Sequence, residues 1–224
     1  MTEPQANATW RVEVGADAVT ALYEPAEDAR GVFVFAHGAG GRMDDAGMLK
    51  LSAAFRARGL STVRFNFVYR EKGSGRPDPM PRLMECVSAV VARVREEVRP
   101  PLLVIGGRSM GGRAASMLAA EGFACDGLLL LAYPLHPDKQ PEKLRDAHLP
   151  SIQVPVLCFN GTRDALCRRD LMDTTLQRVG PNWTMHWLEG ADHSFHVLKS
   201  SGRTDEQVVD EVADTTRGWL AGLG

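Results

Sequence analysis

Charge of one sign is what this chain most lacks: 26 basic against 28 acidic side chains leave a formal net charge of −2 over 224 residues. Without a basic excess there is no broad electrostatic footprint for nucleic acid or an anionic membrane surface, so neither partner is expected. Cysteine is scarce. Cys86, Cys125, Cys158 and Cys167 show neither a C-x-x-C pair nor ligand spacing, so they read as reduced structural thiols and no metal site is expected. No apolar run is long enough to span a bilayer, and residues 1–9 carry no apolar signal core, which leads to the expectation of a cytoplasmic protein. The phosphate-binding pattern G-x-x-x-x-G-K-[ST] is missing. A dinucleotide site is disfavoured too, because G-x-G-x-x-G spacing is absent and no acidic residue ends a second strand about 20 residues further on. Repeats and low-complexity segments are also absent. The length suits one domain, placed at 10–224 behind a polar tail at 1–9.

What the chain does have is Gly107-Arg108-Ser109-Met110-Gly111, directly after the apolar run Leu102–Gly106 and before the helix-like stretch from Arg113 to Ala120. This is G-x-S-x-G in a strand, sharp turn, helix context. A serine on so tight a turn takes a strained backbone, and its neighbours must lack side chains where strand and helix pack closely. Its hydroxyl is thereby pushed out toward substrate.

A serine hydroxyl is a poor nucleophile until a base removes its proton and a third group orients that base. Two later segments supply candidates. The buried run Val156–Asn160 leads into Gly161-Thr162-Arg163-Asp164, and the alternation Trp183–Leu188 leads into Glu189-Gly190-Ala191-Asp192-His193-Ser194-Phe195. Ser109, Asp164 and His193 thus each follow a predicted strand, and in an open α/β sheet such loops converge outside the carboxyl ends of the strands. His196 and His186 compete with His193 for the base, but His186 falls within the strand. Asp192 is too close along the chain to turn its carboxylate onto the far nitrogen of His193, so its expected role is loop structure.

Near the N-terminus, Gly31–Ala36 runs into His37-Gly38-Ala39-Gly40-Gly41. Attack on an acyl carbon creates an oxyanion, and a glycine-rich loop after a strand lets backbone amides point at it. The expected donors are the amides of Ala39 and Met110, with His37 bracing the loop. His37, Gly38, Gly40, Tyr69, Tyr133 and His136 are the expected pocket residues. The loop 67–81 carries Arg70, Lys72 and Arg76, with Arg82 just beyond; it reads as a solvated surface loop, with selection of anionic substrates as the alternative.

Periodicity predicts strands at 10–14 and 18–24 joined by a Gly15-Ala16 turn, then strands at 31–36, 61–66, 102–106, 127–132, 155–159 and 183–188. Helices are predicted at 45–58, with Leu49, Ala53, Phe55 and Ala57 inward and Gly59 as C-cap; at 81–98, on Leu83, Val87, Val90, Val91, Val94 and Val98; and at 110–121 and 168–178. A last helix starts at Thr204, where Thr-x-x-Gln makes a capping box. Such βα alternation implies a three-layer α/β fold, mostly parallel, with an antiparallel N-terminal hairpin. The connection from Pro134 to Pro155 is too short for a large cap domain.

These residues resemble the α/β-hydrolase superfamily from about residue 12 to the C-terminus. More narrowly, Phe65-Asn66-Phe67 with Tyr69, Tyr133-Pro134-Leu135-His136-Pro137, Gly161–Asp164 and Gly190–Phe195 look like a small, largely bacterial branch of lidless serine hydrolases related to dienelactone hydrolases. That branch also resembles the hydrolase-like domain of a subunit of an animal chromatin-modifying complex. Dienelactone hydrolases proper use cysteine where this chain has Ser109, so that similarity is partial. Taken with the residues, the resemblance implies a carboxylesterase-like enzyme that cleaves a small-molecule ester without a cofactor, as a monomer or small homo-oligomer. A thioesterase or peptidase of the same chemistry, and a noncatalytic interaction domain, are the alternatives.

Overall fold

The apolar runs at 31–36, 103–105, 127–131 and 156–159 leave no wet face, so each must be covered on both sides. A computed structural model describes residues 6–223 and shows how. The elements are β1 (Ala8–Val14), β2 (Asp17–Glu24), β3 (Gly31–Ala36), α1 (Ala46–Arg56), β4 (Leu60–Phe65), α2 (Val68–Glu71), α3 (Met80–Glu97), β5 (Leu103–Arg108), α4 (Met110–Ala120), β6 (Gly127–Leu131), β7 (Val156–Gly161), α5 (Arg169–Leu176), β8 (Trp183–Leu188) and α6 (Asp205–Leu220). The strands form one eight-stranded sheet in the order β1-β2-β4-β3-β5-β6-β7-β8. β1 and β2 pair antiparallel around Gly15-Ala16, β2 pairs antiparallel with β4, and all later pairings are parallel.

Alternation along the central strands feeds two cores. Val32 and Val34 of β3, Ile105, Leu128, Leu130 and Val156 face one side, where Leu83, Val87, Val90, Val91 and Val94 of α3 and Ala114, Ala115 and Leu118 of α4 cover them. Phe33, Phe35, Val104, Leu129, Leu131 and Phe159 face the other, under Met48, Leu51 and Phe55 of α1 and Val208, Val212 and Leu220 of α6. The three-layer fold read from the sequence is present, with no cap domain: a single 3-10 turn at Leu149–Ser151 interrupts the chain between β6 and β7.

Some local expectations need correction. The inward face of α1 is Met48, Leu51, Ser52 and Phe55. Leu49 is 44% exposed, and Ala53 and Ala57 also face solvent. Of the four residues expected inward only Phe55 is, because the phase of a short helix with many alanines is weakly marked. The C-cap is Ala57, and Gly59, at φ +81°, turns the chain two residues later. β1 starts at Ala8, and the segment read wholly as loop after residue 67 contains α2. The capping box at Thr204 and Gln207 forms as expected.

The sheet order reverses at β3, whose neighbours are β4 on one side and β5 on the other. A crevice at the carboxyl ends of β3 and β5 is therefore the natural ligand site. Below it, Arg64 on β4 is nearly fully buried yet paired, donating to Glu24 Oε2 at 2.7 Å through Nη2 and to the Met43 carbonyl through Nη1. Asn66 Oδ1 accepts the Met43 amide at 3.0 Å, which pins the chain after the glycine loop.

Candidate active site

Ser109 sits between β5 and α4 at φ 49° and ψ −114°, a conformation costing a non-glycine residue of order 1–3 kcal/mol. The surrounding packing enforces it. A Cβ on Gly107 would lie 2.3 Å from the Ala36 carbonyl oxygen, and one on Gly111 would lie 2.6 Å from that of His37. The two glycines of the pentapeptide let the elbow press against the end of β3.

Three loops then meet. Ser109 Oγ is 2.9 Å from His193 Nε2, and His193 Nδ1 is 2.9 Å from both carboxylate oxygens of Asp164. With Nδ1–H donating to Asp164, Nε2 is left to accept the serine proton. The Asp164 side chain is 0% exposed. Its Oδ1 accepts the Leu166 amide at 2.8 Å and its Oδ2 accepts Asn160 Nδ2 at 3.0 Å. Asn160, the penultimate residue of β7, is itself fixed by Tyr133: its Nδ2 donates to the Tyr133 carbonyl at 3.0 Å and its Oδ1 accepts the Tyr133 amide at 3.2 Å. Sequence reading passed over Asn160, although a polar residue inside an otherwise apolar buried strand is a signal in its own right.

The rivals are elsewhere. His186 bonds Glu211 at 2.7 Å, and His196 bonds Asp205 at 3.0 Å. Asp192 Oδ1 accepts the amides of Ser194 and His196 at 2.7 and 3.1 Å, so it shapes the loop that carries His193.

Opposite, the glycine loop is braced from two directions. The Phe67 amide donates to His37 Nε2 at 3.2 Å, which places the ring proton on Nδ1, 2.8 Å from the Gly38 carbonyl. Burial pushes the His37 pKa down to about 4, so this brace is neutral. Tyr69 donates its hydroxyl to the Ala39 carbonyl at 2.8 Å, and Arg70 donates to the carbonyls of Gly40 and Gly41. With those carbonyls held, the loop's free amides have a fixed direction. The amide of Met110, first in α4, has no helical carbonyl before it to bond.

A cavity of about 320 Å³ lies between these groups, lined by His37, Gly38, Ala39, Gly40, Gly41, Asp45, Met48, Arg108, Ser109, His193 and Ser194. It contains His37, Gly38 and Gly40 of the expected pocket residues. Tyr69, Tyr133 and His136 do not line it. Tyr69 and Tyr133 are buried, with the Tyr133 hydroxyl given to the Arg145 carbonyl at 2.6 Å. His136, also buried, takes the Arg168 amide at 3.2 Å. A polar tip that finds a backbone partner turns inward, which residue type alone does not disclose. The cations after Phe67 are also largely spent: Arg70 on the glycine loop, Lys72 and Arg82 on Asp17. All four cysteines are free thiols, and burial pushes Cys86 up to about 12 and Cys125 up to about 11.

A strand-borne serine elbow, a histidine on a buried aspartate and a glycine loop on a mostly parallel sheet define the α/β serine-hydrolase class. Residues 29–221 match the family model for the alpha/beta hydrolase domain, so the chain belongs to that family. An alpha-beta serine hydrolase homologue from Coxiella burnetii is similar in structure at a TM-score of 0.76 and 19% identity, over 96% of this chain and 99% of that one. An α/β serine hydrolase without lid from Xanthomonas campestris matches at 0.75 and 20%, over 97% and 96%. Dienelactone hydrolase from Anabaena variabilis matches at 0.75 and 19%, over 99% of each chain. Among the described residues no helix is long and apolar enough to cross a membrane.

Proposed function

We propose that the protein is a carboxylesterase-type serine hydrolase that cleaves a small ester through an acyl-enzyme. The observation that carries this reading is the continuous hydrogen-bonded line from Ser109 through His193 to the buried Asp164, with no rival acid or base within it. His193 Nε2 takes the Ser109 proton as Oγ attacks the acyl carbon, and the amides of Ala39 and Met110 hold the oxyanion. The ester C–O bond breaks as His193 returns the proton to the departing alkoxide. Water, deprotonated by His193, then attacks the acyl-enzyme; the acid leaves and Ser109 regains its proton. Asp164 holds the tautomer and steadies the imidazolium. No step calls on a metal or organic cofactor.

The site supports small acyl groups, because its cavity of about 320 Å³ is lined by the loops after β3, β5 and β8 and the start of α1, with no residue of the segment between β6 and β7. Each methylene removed from water gains roughly 0.8 kcal/mol, but only while the cavity can still cover it. A fluorophosphonate probe should label Ser109, and kcat/KM for p-nitrophenyl esters of two to sixteen carbons should peak at short chains. Labelling of another serine, or a steady climb to the longest chains, would overturn the reading.

A further inference from the structure

Arg108, immediately before Ser109, is the one arginine on the lining of the cavity. Its guanidinium donates Nη2–H to the His193 carbonyl at 3.0 Å and lies over the Phe195 ring at 5.6 Å. Nη1 reaches toward the start of α1, where a Cβ built on Gly47 would come within 2.9 Å of it. Its other N–H groups are uncommitted among the described residues. The charged groups around it are Asp45, Asp164 and Asp192, and each acts on it through space without an ion pair. Asp164 is engaged by His193, Asp192 by its own loop amides, and Asp45 Oδ2 by the Arg42 amide at 2.8 Å. Desolvation pulls the Arg108 pKa below its usual value, yet a guanidinium stays charged in a protein. A half-buried cation with one backbone acceptor and no ion pair keeps N–H groups for whatever enters the cavity. The contrast with Arg64 is instructive: that buried guanidinium has Glu24 beside it.

We propose that Arg108 is the anchor for an anionic group on the substrate, so that the site takes esters carrying a carboxylate close to the acyl carbon under attack. The proposal names the substrate class of the hydrolase reading above and rests on it. A carboxylate in the cavity receives charge-assisted hydrogen bonds from the free N–H groups, while the missing side chain of Gly47 makes room for the guanidinium against the start of α1. The anchor's place one residue before the nucleophile fixes the distance from anion to reacting carbon, so a short spacer is required.

The test compares monoethyl succinate with ethyl succinamate, in which an amide replaces the carboxylate. The wild type is expected to favour the anionic ester in kcat/KM by roughly tenfold or more, the scale of a hydrogen bond to a charged group. Arg108→Gln should erase that preference, lowering kcat/KM for the anionic ester by roughly tenfold more than for the neutral one, and Arg108→Lys should keep part of it. A parallel loss on both esters, rescued in parallel by lysine, would make Arg108 a positioning residue for the His193 loop and overturn the proposal. So would a wild type indifferent to the carboxylate. Binding of succinate against succinamide to Ser109→Ala, followed by NMR, reads the anchor without turnover and does not require the Arg108 variants to fold. Succinate should bind, and succinamide should not; equal binding overturns the anchor. If Ser109 resists the fluorophosphonate but succinate still binds, the hydrolase reading fails and the anion site stands.

Discussion

Two histidine–carboxylate pairs stand three residues apart on the same loop, and their hydrogen bonds are nearly identical. His193 meets Asp164 at 2.9 Å, and His196 meets Asp205 at 3.0 Å. Their surroundings differ. In the first pair the carboxylate side chain is 0% exposed, it is oriented by Asn160 and the Leu166 amide, and the far imidazole nitrogen faces Ser109. In the second the side chains are 56% and 43% exposed, and Asp205 opens α6 where it also takes the Val197 amide at 2.9 Å. A histidine beside a carboxylate is therefore no more than a charge pair. Burial of the acid, fixed orientation and a proton donor at the second nitrogen are what make a candidate base.

The sharpest way to break that contrast is to remove the group that the first pair has and the second lacks. Ser109→Ala should fold with an unchanged Tm to within a few degrees, since release of backbone strain at φ 49° is not part of the change. Its esterase turnover should fall by roughly 10⁶, the scale seen when a triad serine is removed elsewhere. His193→Ala should come close to the same loss and add little to it in the double variant, because members of such a unit are not additive. Retention of most activity in either variant would dissolve the distinction between the pairs.

Next in size is the acid. Asp164→Asn keeps the shape but reverses the tautomer, with an NH₂ offered where Nδ1–H needs an acceptor, and turnover should drop by roughly 10⁴. Asn160→Ala reaches the same oxygen at one remove. It strips Asp164 Oδ2 of a donor at 3.0 Å and leaves the Tyr133 amide and carbonyl without their partner. Loss of buried hydrogen bonds should cost about 1–3 kcal/mol of stability, and kcat should fall by roughly 10–100-fold with KM little changed. Asn160→Asp is the sharper variant, because it sets a second carboxylate against Asp164 and should shift the pH–rate profile. An unmoved profile would make Asn160 a structural residue only.

Most of this architecture was legible because it is written in local terms. The elbow needs glycines where β5, β3 and α4 touch, so Gly107 and Gly111 mark it from sequence. Runs such as Leu128–Leu131 can only be buried strands, and the α3 periodicity held through Leu83, Val87, Val90, Val91 and Val94. What escaped depends on where side chains point after the strand ends. Tyr133 and His136 have the composition of pocket walls, but a carbonyl from Arg145 and an amide from Arg168 draw them inward. Arg70 reads as a surface cation, whereas the bare carbonyls of Gly40 and Gly41 turn it into a brace. In the sequence Arg108 is only the variable position of the pentapeptide, since nothing in a sequence says that a guanidinium lacks a carboxylate partner.

The smallest expected effect belongs to the second pair, and it sharpens the comparison by its pH dependence. The Asp205 hydrogen bond holds the His196 pKa above its ordinary value near 6.5, and the His196 hydrogen bond, aided by the Val197 amide, holds Asp205 below its usual 3.8. A histidine with a raised pKa adds stability that is fully present below its unfolded value and is lost as pH rises through the folded one. A carboxylate with a lowered pKa adds stability above its unfolded value, lost as pH falls through the folded one. The pair is therefore at full strength between those two ordinary values. His196→Gln should lower Tm at about pH 5 by a small amount and by less at about pH 8.5, where the imidazole is neutral. Added salt should shrink the low-pH difference, because both groups face solvent. Esterase kcat/KM should stay within about twofold of the wild type at every pH. Loss of activity in His196→Gln with activity retained in His193→Ala would transfer the base to the exposed pair, and a Tm difference indifferent to both pH and salt would show that the second pair acts through packing and not through charge.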